Sequence, residues 1–370
     1  MSAVEIVILF FTILMCIPTL ASLTRYDQWW VRGFDFPRIQ ISFLIILVIA
    51  FSIILLDFSE VWHYAGVILL SCSLLYQFKK IFPYTYLSKK QVLKYKGTDP
   101  KATISILVSN VLTTNNKYQK LIDLVYDRDP DILLALETDV QWEKHLEVIE
   151  DDYKHCVKVP LDNLYGMHLY SKLKLHEIKV HYLVQEDIPS IHGYVELRSG
   201  KMVKIHCLHP MPPSPTESET STNRDAELLM VGRDVKPEKE SILVFGDLND
   251  VAWSRTTRLF QKLSGLMDPR IGRGFFNTFN ANYALFRWPL DHVFHSKDFT
   301  LIDIARERHI GSDHFPMYIS LNYEPSAEVL NEDTDEADEE EEEWAEEKIQ
   351  NADPLMQRLN ASRLYNDGLA

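Results

Sequence analysis

Residues 242 to 249 read ILVFGDLN, and residues 311 to 316 read GSDHFP. The first is an apolar run suited to a buried strand, closed by a turn that leaves Asp247 and Asn249 at its end. In the second, Asp313 and His314 stand just before another apolar run, Met317 to Leu321. Asp and Asn favour turns for local reasons, so either stretch alone fits a simple strand end. The pattern recurs, however, on both sides. Asn110 follows the strand-like Thr103 to Val108, Glu137 follows Ile132 to Leu136, His209 follows Val203 to Leu208, and Asp291 opens the segment that continues as His292 to His295. Lys117 to Tyr126 has apolar positions at helical spacing. Strands interleaved with helices and loops predict an α/β sheet domain over residues 101–323.

The net charge of −15 is unevenly placed: from Glu324 onward 16 Asp/Glu face 3 Lys/Arg, so residues 1–323 are close to neutral. The acidity belongs to a tail, residues 324–370, expected to be largely disordered or a solvated helix. Leu355, Leu359 and Leu364 restore some apolar periodicity at its end, in the manner of a short docking helix. A near-neutral domain neither requires nor forbids a polyanionic substrate, because a local basic patch decides that. The four cysteines are too few for a disulfide framework and read as free structural thiols, with Cys156 and Cys207 the one conceivable pair.

Val4 to Leu23, Ile39 to Leu56 and Val61 to Tyr76 are apolar runs within the first 80 residues; the first is long enough to cross hydrocarbon, the second is almost uninterrupted Ile, Leu, Val and Phe, and the third is a weaker run that stops at Lys79 and Lys80. No Lys or Arg precedes the first, which argues against a cleaved signal peptide. Residues 1–80 therefore read as a helical transmembrane region and 81–100 as a linker. Arg25, Arg32 and Arg38 lie in the first loop, none lies in the second, and Lys79, Lys80, Lys89 and Lys90 follow the third run. By the positive-inside rule this predicts a multi-pass inner-membrane protein with its catalytic domain in the cytoplasm.

The polar groups at the strand ends suit one chemistry. A hard divalent cation takes oxygen ligands, which Glu137 and Asp313 supply with Asn110 beside them; this selects Mg²⁺, with Mn²⁺ as a substitute. Asp247 then orients or deprotonates a water and Asn249 donates to a phosphate. His209 and His314 stabilise the phosphate or the leaving oxygen, Asp291 being the partner that fixes the tautomer of His314. His206 and His209 do not form a metal pair, since positions three apart on a strand face opposite ways.

The strings SN (109–110), ETD (137–139), LHP (208–210), GDLN (246–249), LDHVF (290–294) and SDHFP (312–316) occur in an order and spacing that resembles the endonuclease/exonuclease/phosphatase family, in a deoxyribonuclease-like, membrane-anchored, bacterial-type form. One departure is Leu136, where many relatives carry Gln before the Glu. The resemblance also implies Arg224, in TNRDAELL, as a phosphate contact, as in some relatives; a surface arginine is at least as good a reading. The resemblance spans Thr103 to Leu321 and implies a four-layer α/β sandwich, two packed mixed sheets flanked by helices, and metal-dependent cleavage of a P–O bond. The expected substrate is a phosphate ester, nucleic acid in a phosphodiesterase or nuclease. The competing readings are a lipid-headgroup phosphodiesterase or phosphatase, favoured by the anchor, and a non-catalytic membrane scaffold recruiting partners through the tail.

Overall fold

The computed structural model describes residues 1–97, 99–235, 240–331 and 334–352. The chain divides into two compact units, residues 1–89 with 213–221, and residues 90–212 with the chain from 222 onward.

The first unit is built on α1 (Ala3–Leu23), a single turn α2 (Trp29–Arg32), α3 (Arg38–Leu55) and α4 (Val61–Ile81). Helices α1, α3 and α4 are long and apolar enough to cross a membrane. Phe10, Phe43, Ile54 and Leu69 are exposed, whereas polar groups point inward. That is the reverse of a water-soluble bundle and suits hydrocarbon as solvent. Asp35 accepts from Ser22 Oγ at 2.7 Å, lies 3.4 Å from Arg32 Nη1 and pairs with Arg38. Arg38 Nη1 donates to Gln77 Oε1 at 2.6 Å, and Gln77 Nε2 donates to Thr19 Oγ1 at 3.0 Å. Two of the three arginines counted toward orientation are thus engaged by Asp35. Residues 213–221 complete this unit: Thr220 bridges Gln28, Trp29 N donates to Glu219 O at 2.9 Å, and Ser221 N to Asp27 O at 2.8 Å.

The second unit runs β1 (Thr103–Asn110), α5 (Tyr118–Arg128), β2 (Ile132–Leu136), α6 (Val140–Leu146), β3 (His155–Val159), β4 (Met167–Ser171), β5 (Lys174–His181), β6 (Ser190–Glu196), β7 (Met202–Leu208), α7 (Thr222–Asp234), β8 (Ile242–Asp247), α8 (Arg255–Ser264), β9 (Asp291–His295), β10 (Phe299–Arg306), β11 (Met317–Tyr323), α9 (Ala327–Leu330) and α10 (Glu339–Asn351). One mixed sheet has the order β10-β11-β1-β2-β4-β3 and the other β5-β6-β7-β8-β9. Their inner faces share one core, in which Ile106, Leu134 and Ile319 meet Ile205, Phe245 and Val293. Leu121 and Val125 of α5 and Trp142 of α6 cover one outer face; Leu228 and Val231 of α7 and Phe260 of α8 cover the other. The result is the four-layer α/β sandwich.

The structure differs from the sequence expectation at both ends of this unit. Val92, inside the expected linker, is buried in the inter-sheet core, and Leu301 N donates to Leu93 O at 2.9 Å while Tyr95 N donates to Leu301 O at 2.8 Å. The unit therefore begins near residue 90. In the acidic tail, residues 339–351 form α10, opened by a capping box between Asp338 and Glu341 and packed on α7 and α8 through Trp344 and Ala345. Leu355, Leu359 and Leu364 lie outside the described residues. All four cysteines are free.

The register explains why the polar strand ends gather. Strand β1 pairs with β2 in parallel, Asn110 opposite Leu136, and β7 with β8 in parallel, Leu208 opposite Gly246. Strand β9 runs antiparallel to β8 with Asp291 opposite Asp247, and β11 antiparallel to β1. The carboxyl ends of β1, β2, β7 and β8 and the amino ends of β9 and β11 thus share one rim. Gly246 permits the β7/β8 approach: its φ is +148° and a Cβ there would sit 1.9 Å from the Leu208 carbonyl oxygen.

Candidate active site

Asp247 is at the centre of the rim and is fully buried. Its Oδ2 accepts from Asn110 Nδ2 at 3.1 Å and lies 3.4 Å from His314 Nε2 and 4.0 Å from His209 Nε2. Its Oδ1 accepts from the backbone N–H of Asn249 at 3.0 Å. The same Asn110 amide donates to Glu137 Oε1 at 2.7 Å, so one side chain from β1 aligns acids from β2 and β8. Glu137 and Asn249 both hold left-handed backbone, φ +60° and +51°, an uncommon conformation for non-glycine residues.

The two histidines have opposite electrostatics. Burial opposes charge on His314, but Asp247 and Asp291 outweigh it and hold the imidazolium up to about 10. Asp291 Oδ2 accepts from His314 Nδ1 at 2.9 Å, and the Phe279 ring tilts against the imidazole at 4.9 Å. His209 is pushed down to about 4, by burial before all else, and stays neutral near pH 7; its ring lies 5.3 Å from that of Tyr165. Burial also pushes the Asp247 carboxyl up, against the pull of His314.

The donor set fits a divalent cation. Burial, opposed by the Asn110 hydrogen bond, drives Glu137 up to about 7, with Asp313 and Asp247 adding to the rise. Its Oε2 is buried with no hydrogen-bond partner, as is Asp291 Oδ1. Buried carboxylate oxygens left in this state are stabilised by a cation. Among the described residues, the metal-ligating atoms that lie within 4.8 Å of one another belong to Asp247, Asp291 and His314. In this trio both ring nitrogens of His314 face carboxylates, which accounts for its charge without a metal; Glu137 and Asp291 are acids of the rim that each have one buried oxygen without a hydrogen-bond partner.

Arg224 lies beneath the rim, buried, and not on the surface. Its Nη1 donates to the carbonyl of Asn249 at 2.9 Å, and Nε and Nη2 donate to Asp225 Oδ1 at 3.1 and 2.7 Å. In this geometry the guanidinium supports the turn after β8. Asn249 Nδ2 donates to Pro210 O at 3.0 Å, tying that turn to the residue after His209. Asp139, the last residue of ETD, caps α6 by accepting from Trp142 N at 2.8 Å.

Sequence reasoning passed over a second layer. Arg270 donates to both oxygens of Asp268 at 2.9 and 2.8 Å, and its Nη2 lies 2.6 Å from His292 Nδ1. An imidazole whose Nδ1 accepts from a guanidinium carries its proton on Nε2, and His292 Nε2 donates to the Asp250 carbonyl at 2.9 Å. Arg224 and His292 thus hold two consecutive carbonyls of one turn. The signal was faint: charged residues set singly among apolar ones, in LMDPRI and LDHVF.

The endonuclease/exonuclease/phosphatase family matches this sequence over residues 107–314, more than half of the chain. The chain belongs to that family. Enzymes of the endonuclease/exonuclease/phosphatase family are divalent-metal-dependent phosphoesterases. No curated protein matches the chain. Among solved structures, D. rerio TDP2 complexed with a single-strand DNA product is 17% identical, covering 60% of this chain and 99% of that one with a TM-score of 0.50. An endonuclease/exonuclease/phosphatase from Beutenbergia cavernae is 16% identical, covering 60% and 72%, TM-score 0.49. The human nocturnin catalytic domain is 14% identical, covering 65% and 99%, TM-score 0.49. At such identities the likeness is one of fold.

Proposed function

We propose that this family member is a membrane-anchored, Mg²⁺-dependent phosphodiesterase or nuclease that hydrolyses a phosphate ester by attack of water. The observation that carries the reading is the convergence on Asp247 Oδ2 of Asn110, His314 and His209, beside a Glu137 oxygen that is buried and unpartnered. Glu137, Asn110 and Asp313 are the residues proposed to hold the cation, which supplies charge neutralisation at the phosphoryl oxygens.

Among the described residues Asp247 Oδ2 has one hydrogen-bond donor, Asn110, and the longer gaps to the histidines leave room for a water that it can orient and deprotonate. His314, charged and held by Asp291, presents a proton from Nε2 to the leaving oxygen. His209, neutral, offers one N–H to a phosphoryl oxygen. Asn249 spends one amide hydrogen on Pro210 and has a second for the phosphate.

The three apolar helices favour a second reading, a lipid-headgroup phosphodiesterase or phosphatase. The scaffold reading lacks support, because every site position carries a side chain competent for the chemistry. The test is hydrolysis by the full-length protein in detergent or vesicles, with Mg²⁺, against DNA, RNA and phospholipid, and with Asp247→Asn and His314→Gln as controls. Activity lost on chelation and in both variants supports the reading, and the substrate chooses between nuclease and lipid enzyme. A folded, Mg²⁺-supplied protein inactive on all three would return the scaffold.

A further inference from the structure

Helix α10 has a buried stripe on an otherwise acidic surface: Trp344, Ala345 and Lys348 are buried and Ile349 partly so, at the spacing of one helix face. The stripe packs on Leu229 of α7 and Leu259 of α8. Lys262 Nζ donates to both oxygens of Glu341 at 2.8 and 2.7 Å, Arg233 pairs with Glu346, and the Arg255 guanidinium lies 5.6 Å from the Trp344 ring. These contacts dock the helix, and the Lys348 ammonium itself lies 5.3 Å from the Trp344 ring. An apolar residue there would avoid the desolvation of an ammonium group.

Lys348 instead places Nζ 3.0 Å from Asp225 Oδ2. Asp225 Oδ1 grips Arg224, and Arg224 donates to the Asn249 carbonyl and lies 3.4 Å from Asp250 Oδ2. An unbroken series of charged contacts therefore runs from the tail helix to the left-handed turn that orders Asp247. The state of Asp225 agrees: burial opposes its ionisation, but Arg224 and Lys348 outweigh burial and hold it down to about 2.

We propose that α10 is a positioning strap for the active site, in which Lys348, Asp225 and Arg224 act as positioning residues for the Asn249–Asp250 turn and, through it, for Asp247. This rests on the phosphoesterase reading above for its catalytic consequence, though not for its geometry. Without Lys348, Asp225 keeps Arg224 as its cationic partner within this series and draws the guanidinium away from the Asn249 carbonyl. A displacement of about 1 Å at a reacting group can lower a rate by roughly 10²-fold.

The experiment compares full-length wild type, Lys348→Met, Lys348→Arg and Glu346→Gln, reading kcat, KM and amide hydrogen exchange resolved by peptide. Lys348→Met is expected to lower kcat about tenfold with KM within twofold, and to speed exchange at residues 248–251 while α7 and α8 exchange as in wild type. Lys348→Arg restores both readouts, and Glu346→Gln, removing an exposed contact of the same helix, changes neither. Unchanged exchange at 248–251 in Lys348→Met overturns the proposal, and so does faster exchange spread through α7 and α8, which marks simple undocking. Should the wild type hydrolyse nothing, the phosphoesterase reading fails by itself and the exchange data alone decide the strap.

Discussion

Asp291 Oδ2 lies 2.9 Å from His314 Nδ1, and this contact sets which ring nitrogen faces Asp247. The side chain of Asp291 comes from the residue directly opposite Asp247 in the β8/β9 ladder, so the pair is built into the register and not into a loop. Replacing Asp291 with Asn removes a negative charge that helps hold the imidazolium up to about 10. If protonated His314 is the acid, activity is lost as pH rises through its pKa. In Asp291→Asn that alkaline limb moves to lower pH and kcat at the optimum falls by roughly 10²-fold or more. A pH–rate profile at saturating Mg²⁺ checks this; an unmoved limb removes His314 from the acid role.

Glu137 gives a prediction in which stability and metal response move in opposite directions. Its folded-state carboxyl is raised to about 7, so the stability it contributes is full below the unfolded value near 4.5 and is lost as pH rises through 7. In the metal-free protein at pH 8, Glu137→Gln is therefore expected to stabilise by roughly 1–3 kcal/mol. The same change removes the Mg²⁺-dependent stabilisation, about 2.7 kcal/mol with Mg²⁺ at one hundred times its Kd, which is read as a rise in Tm. Thermal melts with and without Mg²⁺ separate the two effects. A variant that keeps the full Mg²⁺ shift excludes Glu137 as a ligand.

Gly246 and Gly200 both hold positive φ, yet differ in surroundings: a Cβ meets the Leu208 carbonyl at 1.9 Å in one and nothing within 4 Å in the other. Gly200→Ala carries backbone strain alone, about 1 kcal/mol. Gly246→Ala must also part β7 from β8 and is expected to destabilise by 4 kcal/mol or more, on the order of the largest single-residue effects. Chemical denaturation of the two variants tests the ranking, which equal losses would contradict.

The strands ending in site residues were legible because each is a short, nearly pure apolar run with a polar residue at its end; β2 matches its expected bounds and β1, β7, β8, β9 and β11 differ by at most two residues. Strands β3, β4, β5, β6 and β10 were not. In β5, KLHEIKVH, charged residues interrupt the alternation, and the register shifts between His176 and Lys179 because Glu177 turns left-handed. No short-range rule marks such an edge. The motif residues of the rim were named from their order along the chain, but Asp225, Asp268 and Arg270 act through Arg224 and His292, which hold the backbone carbonyls of Asn249 and Asp250, a relation no motif records. Helix α10 was hidden by charge: its buried face is three or four residues in a run of glutamates.

Asp35 is the acid on which the inward-facing cations of the first unit depend, through Arg32, Arg38 and Ser22. Asp35→Asn leaves two guanidinium groups closed in with a neutral partner and is expected to destabilise the helical unit by about 3–5 kcal/mol. Resistance of the purified protein to SDS-induced unfolding measures this. Asp35→Asn combined with Arg38→Gln should recover part of the loss, and a double variant weaker than the sum of the singles would refute the pairing.

The first unit needs residues 213–221, which supply the partners of Gln28, Trp29 and Asp27. A ribosome that has finished residues 1–89 must add about 120 more before that segment exists. At about 5–20 residues per second, this delay is on the order of ten seconds. During that interval the edge at Gln28 is open, and its closure is timed by the emergence of β7 and the histidine that follows it. Completion of the apolar unit thus reports, during synthesis, that half of the rim has already been made.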